Sequence, residues 1–176
     1  MFDLKLIENE RLLLRPITLD DTRLIVTWRN KPSVMRNFVF SEQFTEEMHE
    51  HWFNTKIRSG EVVQYIIVDK AEQLPIGSVY YRDIDCNNRS AEYGIFIGVD
   101  SARGKGYGTE VTKMFTDFGF ETLKLHRIML RVFSDNHPAQ KAYIKAGFIV
   151  EGEFRDMIYK DGDYRSMIFM AKINPK

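Results

Sequence analysis

Apolar positions along the chain change spacing several times, and each change marks an element. Leu12, Leu13 and Leu14 form an apolar run within "RLLLRP" (residues 11–16) that reads as a first strand stopped by proline. "TLDD" follows as a helix start, with Thr18 as the cap and Asp21 three residues on to answer it. That helix is expected to run to about Asn30 and to bury Leu24, Ile25 and Trp28. A second helix begins near Thr45, with Glu46 and Glu47 in its first turn, where the helix dipole favours acids. Met48, Trp52 and Ile57 make its expected inner face, and Gly60 its stop.

From Gln64 the period shortens. "QYIIV" is a short apolar strand, and "PIGSVYYRDI" and "AEYGIFIGV" are longer ones separated by the turn-forming "DCNN". Val111, Met114, Phe115 and Phe118 then fall at i, i+3, i+4 and i+7, an amphipathic helix to about Thr122. "RIMLRVF" (residues 127–133) is a strand. "NHPAQKAYIKAG" is a helix marked at both ends, with Asn136 as cap, Pro138 in the first turn and Gly147 at the stop. Ala139, Ala142, Tyr143 and Ala146 form its inner face, and two strands around "KDGD" complete the chain. The order βααβββ–loop–αβαββ implies a mixed α/β sheet. Strand–loop–helix–strand through residues 91–133 gives a parallel pair, and the flanking hairpins are antiparallel.

Composition narrows the class. At 176 residues, with no repeat and no Pro/Gly/Ser linker, one domain spanning 1–176 is expected. The 25 basic residues balance the 25 acidic ones, which argues against a nucleic-acid binder working by bulk charge. Cys86 is the only cysteine, so no intrachain disulfide can form and a reducing cytoplasm is favoured. The charged start "MFDLKLIENERLLLRP" lacks the apolar stretch of a signal peptide, and no run approaches a membrane span. His49 and His51 stand at i, i+2 and face different sides of their helix, so no metal site is expected.

The chemistry concentrates in "SARGKGYGTEV" (residues 101–111). Gly104, Gly106 and Gly108 alternate with Arg103, Lys105 and Tyr107 at a helix start, where bare main chain and free N–H groups suit a phosphate. A P-loop needs G-x-x-x-x-G-K-[ST], which this stretch lacks. The dinucleotide fingerprint would need glycine where Thr109 stands. The pattern that fits is Arg/Gln-x-x-Gly-x-Gly/Ala, after a strand and opening a helix. It resembles the acyl-coenzyme A pyrophosphate loop of the GNAT superfamily of N-acetyltransferases. "NHPAQKAYIKAGF" resembles that family's Asn-x-x-Ala-x-x-x-Tyr-x-x-x-Gly-Phe motif, and "FIVEGEFRDMIYKDGDYRSMIFM" the end of its branch with ribosomal-protein alanine and spermidine acetyltransferases.

The resemblance implies an α/β (α+β) fold with a mostly antiparallel sheet and a central parallel pair that splays. It implies acetyl-CoA as co-substrate, without metal. Backbone N–H groups from Arg103 through Gly104, Lys105, Gly106, Tyr107 and Gly108, with Thr109, would hold the pyrophosphate, and Lys105 would add a point charge. Main-chain groups of Ile97 and Val99 would bond the pantetheine arm, and Asn136 would bond it besides capping its helix. Tyr143 would protonate the departing thiolate. Glu92 shares strand parity with Gly94, Phe96 and Gly98 and is a candidate general base whose proton affinity burial would raise; Asp83 and Asp85 are alternatives, and an ion-paired glutamate is the plain reading. Gly94 and Gly98 fit either a bulge with close backbone approach or packing. Cys86 lies in a turn with no histidine beside it, so direct attack in a ternary complex is expected rather than a covalent enzyme intermediate.

The acceptor is carried by the first helices. "TWRNKPSVMRNF" with "TEEMHEHWF" resembles amino-sugar acetyltransferases of the pseudaminic-acid branch, which implies Trp28, Arg29, Asn30 and His51 as acceptor residues. Arg29 would hold a nucleotide phosphate, and Trp28 is equally a core residue. The alternatives are a polyamine, for which Glu42, Glu46, Glu47 and Glu50 could supply an acidic cleft, a protein N-terminus, or a catalytically silent coenzyme-binding sensor. The partners expected are therefore the coenzyme and a small-molecule or peptide amine, with neither nucleic acid nor membrane; a homodimer is allowed.

Overall fold

A computed structural model describes residues 4–175. Its strands are β1 (Ile7–Glu8), β2 (Leu12–Pro16), β3 (Val63–Asp69), β4 (Leu74–Asp85), β5 (Ser90–Ile97), β6 (Arg127–Phe133), β7 (Ile149–Lys160) and β8 (Asp163–Ile173). They form one sheet in the order β1-β2-β3-β4-β5-β6-β8-β7. Every neighbouring pair is antiparallel except β5 and β6, as the strand–helix–strand reading requires. The helices are α1 (Thr22–Arg29), α2 (Pro32–Met35), α3 (Glu46–Trp52), α4 (Tyr107–Glu121) and α5 (His137–Lys145).

The sheet is covered on both faces, which is why all of β3 is buried. On one face, Val111, Phe115 and Phe118 of α4 pack on Tyr65, Tyr81 and Tyr93. The rings of Tyr81 and Phe115 stack at 4.5 Å, and the Tyr81 hydroxyl donates to the Phe115 carbonyl at 2.7 Å. On the other face, Ile25 and Trp28 of α1, Val34 of α2 and Phe53 pack on Ile66, Val68 and Phe96. Alternate residues of each strand thus feed two separate cores.

Three elements depart from the expected pattern. Pro32 cannot continue α1 but fits a first helical turn, so it opens α2, a short helix not foreseen in the sequence. The helix from Thr45 keeps its cap, with the Met48 N–H donating to Thr45 Oγ1 at 3.2 Å, but passes into a wider turn over Phe53–Ile57. Its buried face is His49 and Phe53, while Met48 is 45% exposed. A histidine replaces the expected methionine inside because Thr22 waits there to satisfy it. Finally, β5 ends at Ile97, where the N–H groups of Gly98 and Val99 both turn to the Ile76 carbonyl, at 2.8 and 3.2 Å.

Packing accounts for Gly94 of β5 and for Gly98 just past its end. A Cβ on Gly98 would lie 2.1 Å from the Trp28 ring, and one on Gly94 would lie 2.2 Å from the Tyr80 ring. The β7–β8 turn has Asp161 and Gly162 at φ 55° and 89°, the left-handed pair that a two-residue hairpin demands.

Phe115 is fully buried among Tyr65, Tyr81 and Phe118. Phe115→Ala should lower the unfolding free energy by about 3–5 kcal/mol, as measured by urea denaturation.

Candidate active site

β5 and β6 pair only through Ser90, Ala91 and Glu92 with Arg127, Ile128 and Met129. Beyond those residues the two strands continue but part, and a cleft of about 930 Å³ opens between them. Its walls come from β4, β5, β6, the start of α4, one face of α5 and the segment 36–40.

The glycine loop borders one end. Gly104 and Gly106 have φ of 76° and 85°, so the turn itself requires them. Gly108 differs: its φ is not left-handed, and a Cβ there would touch nothing within 4 Å. The fold does not demand glycine at 108, and the main chain there stands open on the cleft lining, beside Thr109 at the head of a fifteen-residue helix. These bare N–H groups with the helix dipole behind them fit a coenzyme's phosphates.

The side chains between the glycines do other things. The Arg103 guanidinium lines the cleft but donates to the carbonyls of Ile97 (2.9 Å) and Ser33 (3.2 Å), strapping the loop to α2. Lys105 is not on the cleft lining, and its ammonium sits 3.9 Å from Glu72 at the surface. Lys141 and Lys145 of α5 line the cleft instead. Their i, i+4 spacing is in the sequence, yet only the fold shows which wall they join. Tyr107 is core, its hydroxyl donating to Asp69 Oδ2 at 2.5 Å. Of the two main-chain positions expected to meet the pantetheine arm, Ile97 lines the cleft with its carbonyl already accepting from Arg103. Val99 is not on the lining, and its N–H is bonded into β4.

Asn136 caps α5, its Oδ1 accepting from the Ala139 N–H at 3.3 Å, and its Nδ2 donates to Asn37 Oδ1 at 3.1 Å. Tyr143, on the inner face of α5, packs edge-on against Tyr93 and lines the cleft. Burial, and then the neighbouring Tyr80, push its hydroxyl well above the ordinary tyrosine range, so it stays protonated.

Glu92 is on the lining, but charge surrounds it rather than the apolar wall expected. Its Oε1 accepts from Arg82 Nη2 (2.7 Å) and Arg131 Nε (3.1 Å), and its Oε2 from Arg131 Nη2 (2.8 Å). Asp83, at φ 50° in a β4 bulge, is exposed at the rim; Asp85 holds the following turn by accepting from Asn88.

None of the four expected acceptor residues lines the cleft. Trp28 is buried core, 6.2 Å from the Phe96 ring. Asn30 clamps the Phe44 main chain, donating to its carbonyl at 2.7 Å and accepting from its N–H at 2.8 Å. Arg29 lies against Phe38 (3.8 Å) and Phe44 (4.6 Å) without a carboxylate partner, and burial lowers its pKa. His51 is exposed on α3. Arg29 backs Phe38, and Phe38 lines the cleft. From the other side, Lys160 donates to the carbonyls of Met35 (2.8 Å) and Phe38 (2.5 Å), and Arg165 to that of Arg36 (2.9 Å). Among the described residues, no group of His, Cys, Asp and Glu could hold a metal, and no helix is long and apolar enough to cross a membrane.

A splayed parallel pair beside a bare glycine loop, with a protonated tyrosine in the gap, defines a coenzyme A-dependent acyltransferase. The chain belongs to the acetyltransferase (GNAT) domain family, which it matches over residues 11–149, and is an acetyl-CoA-dependent N-acetyltransferase. It is 31% identical to the spermidine N(1)-acetyltransferase of Escherichia coli K12 over 159 residues, 90% of this chain and 83% of that protein. It is 28% identical to acetyltransferase PseH of Campylobacter jejuni over 139 residues, 79% of this chain and 83% of that one. The Vibrio cholerae spermidine N-acetyltransferase, solved with CoA and spermine, superimposes with a TM-score of 0.87 at 27% identity, covering 94% of this chain and 96% of that one. A dodecameric structure of the same enzyme superimposes at 0.80.

His49 fastens α3 to α1 beneath this wall. Its Nδ1 is 2.9 Å from Thr22 Oγ1, while Nε2 is buried without a partner. An unsatisfied lone pair costs less than an unsatisfied N–H, which favours the tautomer donating from Nδ1. Burial, partly opposed by Asp21 and reinforced by Arg29, lowers its pKa below the ordinary 6.5. The unfolded chain therefore binds this proton more readily, so stability holds above about pH 6.5 and falls as pH drops below it. Urea midpoints should fall on acidification more steeply for the wild type than for His49→Gln.

Proposed function

We propose that the chain carries acetyl from acetyl-CoA to the primary amine of a small molecule by direct attack in a ternary complex. The observation that carries this reading is the gap between β5 and β6, which holds an unpartnered Tyr143 hydroxyl and ends at the bare main chain of Gly106–Gly108. Acetyl-CoA supplies an activated thioester. The amine lone pair forms the C–N bond, the C–S bond breaks, nitrogen loses one proton and sulfur gains one. No outside reagent is consumed.

The residues divide this work. Main chain from Arg103 to Thr109 supports the phosphates, with Lys141 and Lys145 as the cations facing the cleft. Asn136 and the Ile97 carbonyl border the path of the pantetheine arm. Tyr143 donates to the leaving sulfur. Because burial raises its pKa, it acts first as a hydrogen-bond donor and yields the proton only as negative charge gathers on sulfur. Glu92 anchors Arg82 and Arg131, and the amine sheds its proton to solvent. Cys86, a free exposed thiol, is compatible with a reducing cytoplasm.

For the acceptor, the relatives named for spermidine support a polyamine, and they match more of the chain than acetyltransferase PseH does. One observation favours a second class. Arg36, Arg82 and Arg131 line the acceptor end against Asp83 and Glu92, and Arg29 stands behind. Such a wall suits an amine whose carrier bears anionic groups, a nucleotide-linked amino sugar for instance, and repels a polycation.

One assay separates these readings: free-thiol release from acetyl-CoA with spermidine, spermine and UDP-linked amino sugars. Turnover of the polyamines alone supports the first class, and of the sugar nucleotides alone the second. Tight CoA binding with no release above background would leave only a sensor. Tyr143→Phe should lower kcat by about 10²-fold or more with CoA affinity unchanged; unaltered kcat would remove its role as acid.

A further inference from the structure

The tyrosines around β5 fall into two groups. The hydroxyl of Tyr81 donates to the Phe115 carbonyl, that of Tyr107 to Asp69 and that of Tyr65 to the Lys5 carbonyl, while Tyr93 shares a 2.9 Å bond with Thr112. These are buried hydroxyls satisfied by the fold, as burial requires. Tyr143 and Tyr80 differ. Both line the cleft, and neither hydroxyl has a hydrogen-bond partner among the described residues. The mechanism above uses Tyr143 and leaves Tyr80 without a task.

Register places Tyr80 beside the point where β5 and β6 part. It stands opposite Gly94, as Arg82 stands opposite Glu92. Its far end lies over Gly94, since a Cβ there would be 2.2 Å from Tyr80 Cζ and 2.5 Å from its hydroxyl oxygen. The side chain therefore reaches from β4 onto β5, two residues past Glu92, the last β5 residue paired with β6. The hydroxyl arrives where the gap begins. Burial raises its pKa, with Arg82, Arg29 and Arg131 acting against that and Glu92 with it, so it is a neutral hydroxyl and no base. Glu92 is less free for the same task, because three guanidinium hydrogen bonds occupy its two oxygens.

We propose that Tyr80 positions the acceptor: its oxygen accepts a hydrogen bond from an N–H of the attacking amine and aims the nitrogen lone pair at the acetyl carbon. No proton passes to Tyr80. Gly94 is part of the device, because any side chain there would push the hydroxyl out of the gap. This role rests on the acetyltransferase reading and is the same for either acceptor class.

The test follows thiol release from acetyl-CoA with three nucleophiles: spermidine, a UDP-linked amino sugar and hydroxylamine, which is small and unprotonated at neutral pH. Tyr80→Phe keeps the ring over Gly94 and removes only the hydroxyl. It should lower kcat/KM for the active nucleophile by about tenfold, the worth of one hydrogen bond. The Kd for CoA and the Tm should not move. Gly94→Ala should also lower kcat/KM in the wild type, since the added Cβ would displace the Tyr80 ring and its hydroxyl together. An unchanged kcat/KM in Tyr80→Phe, a parallel loss of CoA affinity, or an unchanged kcat/KM in Gly94→Ala would each overturn the proposal. Silence of the wild type with all three nucleophiles would overturn the acetyltransferase reading itself, and the role of Tyr80 with it.

Discussion

A parallel strand pair that stops pairing after three residues sets the terms for the whole molecule. Where β5 and β6 separate, main-chain groups that a sheet would normally satisfy lose their neighbour. Some are taken up locally: Arg103 reaches back to the Ile97 carbonyl, and the N–H groups of Gly98 and Val99 fold onto Ile76. The rest face a cleft. A sheet held open in this way must be braced from elsewhere, and the two cores do so, one beneath α4 and one beneath α1–α3. The gap is a rigid slot between packed walls.

The two ends of the slot obey different rules. At the α4 end the lining is bare main chain around Gly104, Gly106 and Gly108, with Lys141 and Lys145 of α5 nearby. At the far end side chains form the lining. There Glu92 gathers two arginines, and Arg29 lies against Phe38 and Phe44, where its charge meets rings instead of carboxylates. Segment 36–40 is pinned from both sides, by Arg29 through Phe38 and by Lys160 and Arg165 through main-chain carbonyls. Two ammonium hydrogen bonds to carbonyls, from a lysine only 4% exposed, make a fastening that is costly to break.

Much of the fold was legible because period and punctuation agreed. Pro16, the Thr18–Asp21 box, Asn136 with Pro138, and Gly162 all mark real boundaries. Other placements depend on a partner far off in sequence. His49 is inside beside Thr22, Lys105 lies near Glu72 off the cleft lining, and Glu92 is clamped because Arg82 and Arg131 arrive from flanking strands. The Trp-Arg-Asn helix end was recognisable, yet Arg29 lies against Phe38 and Phe44 and Asn30 holds the Phe44 main chain, contacts no spacing reveals. Lys141, Lys145 and Tyr80 were missed because a helix face or a strand parity names a side but not what stands across from it.

Residues 17–62, which hold α1, α2 and α3, leave the sheet at Pro16 and return at Val63, on strands that lie side by side, with the Ile17 N–H bonded to the Gln64 carbonyl. This entire helical layer is therefore a loop whose two ends touch. Such an excursion can be rewritten without moving any strand, whereas the half built on the parting strands tolerates little revision. Divergence of substrate among proteins of this architecture then becomes a matter of exchanging one cassette above a fixed transfer engine.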